Sequence, residues 1–176
     1  MNKVLSIVVT SMLAMGAASA YADETCADSA VKAIEAAGGS LFADHHEPTT
    51  SAAKSIIAIA DSCESSAVRV AAAKELSDAL SSGTEPTKTV AEDMTELCKA
   101  DAACAVEAIN SLKKGIFADQ GEPTVTVAHA IVEIVKQAPT ETVKQKAIEA
   151  LSEGLSSNSY PSSEISEYIA EVGRCE

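Results

Sequence analysis

The chain has no tryptophan and, in 176 residues, only two phenylalanines and three tyrosines. It therefore lacks an aromatic platform on which bases or sugars could stack. Positive charge is scarce as well: 13 lysines and arginines stand against 26 aspartates and glutamates, a formal net charge of −13. A surface of that sign repels phosphate backbones, whose binding needs neutralising cations, so no nucleic-acid partner is expected. G-x-S-x-G, H-E-x-x-H, C-x-x-C and a Gly-rich phosphate loop are all missing. No catalytic residue is assigned, and neither an enzyme activity nor a cofactor is expected. Apolar runs of membrane-spanning length are lacking too. The longest apolar stretch, Val4 to Ala18, follows Lys3 and leads into Ala18-Ser19-Ala20-Tyr21-Ala22. That order describes a bacterial-type secretory signal peptide over residues 1–22, cleaved after Ala22 or, fitting almost as well, after Ala20. The expected product is exported, periplasmic or secreted, and not inserted in a membrane.

What the sequence does have is a period. Pro48, Pro86, Pro123 and Pro161 fall 38, 37 and 38 residues apart. Six residues before each stands Phe42, Leu80, Phe117 or Leu155, and farther back Val31, Val68, Val106 or Val143. After the prolines come Ala52/Ile56/Ile59, Val90/Met94/Leu97, Val127/Ile131/Ile134 and Ile165/Ile169/Val172, at helical spacing. A fixed period of this size marks stacked supersecondary units. Ser81-Ser82-Gly83-Thr84 breaks one helix, and Pro86 suits the first turn of the next because its missing N–H would be unpaired there anyway. Each unit reads as helix, short loop, helix.

A second level of repetition lies at an offset of 75 residues: Phe42-Ala43-Asp44-x-x-Glu47-Pro48-Thr49 recurs as Phe117-Ala118-Asp119-x-x-Glu122-Pro123-Thr124. The expected fold is all-α: four helical hairpins, eight helices, in two duplicated four-helix halves, 23–100 and 101–176. The halves could close as bundles or continue as a short solenoid. Val68-Arg69-x-Ala71-Ala72-x-x-x-Leu76-x-x-x-Leu80 and Val143-Lys144-x-x-Ala147-x-x-Ala150-Leu151-x-x-x-Leu155 resemble the second helix of HEAT and armadillo-type repeats. The resemblance implies protein binding on a helical scaffold.

Five cysteines remain to be placed. Cys26 and Cys104 precede the first helices of the two halves, and Cys98 and Cys175 close their last ones. Closed bundles would pair Cys26 with Cys98 and Cys104 with Cys175, leaving Cys63 as the odd thiol. The rival pairings are Cys26–Cys63 and Cys98–Cys104. Asp44-His45-His46-Glu47 is the one dense cluster of metal-capable side chains, able in principle to hold a transition metal. Neighbouring histidines on an extended loop point apart, so a polar loop is the simpler account. His129 falls on a helix as a surface or groove residue. The function expected is a non-enzymatic protein-interaction module, for which a basic partner fits the charge. The alternatives are a carrier of metal or a small hydrophobic ligand, and a self-assembling extracellular protein.

Overall fold

A computed structural model describes residues 25–41, 47–81, 84–116, 122–157 and 162–175. The protein is all-α: among the described residues there are eight α-helices and no strand. They are α1 (25–38), α2 (Glu47–Asp61), α3 (Ser66–Leu76), α4 (Thr84–Leu97), α5 (Ala102–Ile116), α6 (Glu122–Gln137), α7 (Glu141–Ser157) and α8 (Ser162–Val172). None of these helices is long and apolar enough to cross a membrane. Residues 1–22, expected to be a signal peptide, lie outside the described residues.

The apolar stripes counted from the prolines are the core. Ile56, Val90, Met94, Val127, Ile131, Ile165 and Val172 are fully buried, and so are Val68, Ala72 and Leu76 on the intervening helix α3. Their shared destination sorts the helices into two layers. Helices two apart in sequence lie side by side: α2 on α4, α4 on α6, α6 on α8, and likewise α3 on α5 and α5 on α7. Sequence neighbours pack across the layers, α5 on α6 and α7 on α8 most extensively. At the beginning of the odd-numbered layer, Gly38 of α1 lies against the Glu75 side chain of α3. The stack is continuous through residue 100, since α3–α5 and α4–α6 contacts cross that point.

One device recurs where a helix hands over to the next. The hydroxyls of buried Thr49, Thr87 and Thr124, each one residue after a unit proline, donate to the carbonyls of Leu41 (2.6 Å), Leu80 (2.8 Å) and Ile116 (3.5 Å). Carbonyls at or just past a helix end have no partner within the helix, and these hydroxyls supply donors to them. The units touch closely at glycine: a Cβ on Gly154 of α7 would overlap the Ile116 side chain of α5.

Two details differ from expectation. The helix expected to run on to Leu80 keeps α geometry only to Leu76 and tightens to a 3-10 turn over Ser77–Ser81. The N–H of Ser77 lies between the carbonyls of Lys74 and Glu75, the short bonds of a closing turn. The disulfide is a correction. Cys98 is bonded to Cys104, with Cα atoms 5.0 Å apart, in place of Cys26–Cys98 and Cys104–Cys175. The halves do not close as bundles: α5 and α8 make no extensive contact among the described residues, so nothing brings Cys104 to Cys175. In an open stack the cysteines still share one end, but only sequential or adjacent elements meet there.

Candidate functional site

Helix α6 sits at the centre of the stack and is buried on most of its circumference: Val127, Ala128, Ala130, Ile131, Val132, Ile134 and Val135 are all inside. One polar stripe, His129, Glu133 and Lys136, is left facing out, at the spacing of successive helical turns. Its neighbour α4 buries Val90, Ala91, Met94 and Leu97 and turns Glu92 and Glu96 to solvent, four residues apart on one face. Between the two stripes runs a groove of about 390 Å³ lined by Glu92, Thr95, Glu96, Thr126, His129, Ala130, Glu133 and Gln137. The lining has three carboxylates and neither lysine nor arginine. Gln137 adds a side-chain oxygen, Oε1, that is buried with no hydrogen-bond partner.

The floor is tied to the next helix along. Lys136 Nζ lies 2.6 Å from Glu133 Oε1 and 2.9 Å from Glu171 Oε1 of α8, bridging the two helices. Hydrogen bonds to those two carboxylates raise the Lys136 pKa well above its ordinary value, and the Lys136 ammonium lowers that of Glu171. His129 stands 3.6 Å from Glu133 through Nε2, and its ring meets Tyr168 edge to face with centroids 5.9 Å apart. Burial, followed by the carboxylates of Glu171, Glu164 and Glu167, raises the Tyr168 pKa. On the other side of the groove Glu96 pairs with Lys99 at 3.9 Å, with both side chains mostly in solvent, so that pair leaves the negative potential of α4 largely intact.

The groove belongs to a larger asymmetry. The even-numbered helices contain eleven acidic residues, two in α2, four in α4, two in α6 and three in α8, against only Lys54, Lys88 and Lys136. The odd-numbered helices hold seven acidic and seven basic residues. One layer of the stack is thus strongly anionic and the other balanced.

The residues singled out in the sequence fare unequally. Asp44, His45 and His46 lie outside the described residues, and Glu47 opens α2. Among the described residues no group of three histidine, cysteine or carboxylate side chains is arranged to hold a metal ion. Cys98 and Cys104 meet, whereas Cys26, Cys63 and Cys175 are outside the disulfide. His129 does line a groove. The layer charge was missed, although a signal for it was present: the helices that begin at the unit prolines are the acidic ones, and counting charge helix by helix reveals it. Comparison with protein-family models, with curated proteins and with solved structures finds no match in any of the three.

Proposed function

We propose that the chain is an exported, non-enzymatic interaction module that binds a basic protein on its even-numbered layer, with the groove between α4 and α6 as the centre of the contact. The observation that carries this is the segregation of charge: eleven acidic residues against three lysines on one layer, and seven against seven on the other. A solvated acidic surface without a partner gives no reason for the net charge of the helices to fall on alternate ones. The two-layer stacking of helical hairpins supports the resemblance to HEAT and armadillo-type repeats, and with it binding along a layer of parallel helices. Carboxylates and an orphan amide oxygen offer acceptors, which lysine and arginine side chains match with donors.

The test compares two neutralised variants of equal charge. Binding of a fluorescent arginine-rich peptide should weaken about tenfold in Glu92→Gln/Glu96→Gln and change little in the odd-layer control Glu141→Gln/Glu149→Gln. Salt above physiological strength should abolish the difference, because exposed charges are screened over about 8 Å at 0.15 M. Equal losses in both variants would reduce the interaction to net charge and remove the basis for a defined face.

A further inference from the structure

We propose that Cys26 and Cys63 form a second disulfide, which staples the first helix of the stack to the loop that leads into α3. Helix α1 ends at a turn whose Leu41 carbonyl bonds to Thr49 at the start of α2, and α2 leads through residues 62–65 into α3. The starts of α1 and α3 therefore lie at the same end of the molecule, and the two helices run the same way. They are adjacent where a Cβ on Gly38 would meet the carboxylate of Glu75. Counting back twelve residues from that contact reaches Cys26 in the first turn of α1 on one side and, three residues before α3 begins, Cys63 on the other. The core keeps the same alignment: Ala30 and Ile34 of α1 and Val68 and Ala72 of α3 are buried in one cluster, which also contains Cys63 and has Cys26 packed against it. The disulfide already formed, Cys98–Cys104, joins α4 to α5 at this same end.

Burial differs between the two thiols and sets the order of the chemistry. Cys26 is partly exposed and Cys63 is buried, so Cys26 is the thiol that an oxidant reaches first. Its thiolate, having lost a proton to solvent, attacks a sulfur of a protein or small-molecule disulfide. A mixed disulfide forms and one thiol leaves. The Cys63 thiolate then attacks the Cys26 sulfur and displaces the second thiol. Two electrons pass from the cysteine pair to the oxidant, whose two sulfurs take up two protons as thiols. The product ties down the unit at the edge of the stack, which among the described residues has a neighbour on one side only and is the place where a repeat array frays first.

The test is a peptide map of the full chain equilibrated with oxidised glutathione, alkylated, and digested with trypsin without reduction. Peptide 55–69, which contains Cys63, should be recovered linked to the peptide that contains Cys26 and ends at Lys32. Recovery of the two as separately alkylated peptides, or of either linked to Cys175, to glutathione or to a second copy of the chain, would overturn the proposal whatever the state of Cys98 and Cys104.

Discussion

Thr87 shows how much a single hydroxyl contributes to this fold. It is buried, and its bond of 2.8 Å satisfies a Leu80 carbonyl that water cannot reach easily. Thr87→Val keeps the shape and removes the donor, so it should lower the unfolding free energy by about 1–3 kcal/mol, measured by urea denaturation. Asp93 acts in the opposite direction. Burial raises its pKa, opposed by the charge of Lys54 and reinforced by Glu92, and its Oδ2 is buried without a hydrogen-bond partner. A carboxyl with a raised folded-state pKa binds protons more tightly in the folded chain, so its contribution to stability is present at acid pH and is lost as pH rises through the folded value. Asp93→Asn should therefore melt higher than the wild type at neutral pH and converge with it near about pH 3. A variant less stable than wild type at neutral pH would show that the charge is favourably placed.

Between elements, the junction of α4 and α5 combines three constraints in a few residues. Asp101 Oδ1 accepts the N–H groups of Ala103 (3.1 Å) and Cys104 (3.0 Å), capping α5, and also the Ser66 hydroxyl of α3 (3.0 Å). Ala100 takes a left-handed conformation at φ 57° within the loop that the disulfide closes. Asp101→Ala should cost about 0.5–2 kcal/mol, with amide exchange accelerating in the first turn of α5 before it does elsewhere. Much at this scale was legible in the sequence, because a proline opening each second helix and an apolar stripe of period 3.6 leave few choices. The disulfide was not. The cysteine positions show which end of a helix each thiol occupies, and they place Cys26, Cys98, Cys104 and Cys175 at one end. Whether α5 meets α8 depends on closure, and the stripes on both helices are equally compatible with a bundle and a stack.

At the scale of the molecule, the layered stack turns a net charge into a directed one. Composition alone gives −13 for the chain. The alternation of layers then places eight of those net charges on α2, α4, α6 and α8, the other five lying outside the eight α-helices, since the seven acidic and seven basic residues of the odd layer cancel. That distribution lay hidden in the sequence until the packing order was known: a carboxylate in an acidic chain is uninformative singly, and only the assignment of alternate helices to one layer makes the sum meaningful. His129, expected as a surface or groove residue, lines the groove, but its groove partners on α4 are more than thirty residues distant in the chain. No periodicity within one helix could have supplied them. The most direct test of the account is an amide chemical-shift footprint, recorded as the labelled protein is titrated with an arginine-rich peptide at physiological salt. Perturbations concentrated on the exposed positions of α4, α6 and α8, with Glu92, Glu96 and Glu133 among the largest, are the predicted result; shifts spread evenly over both layers, or centred on α3, α5 and α7, would contradict it.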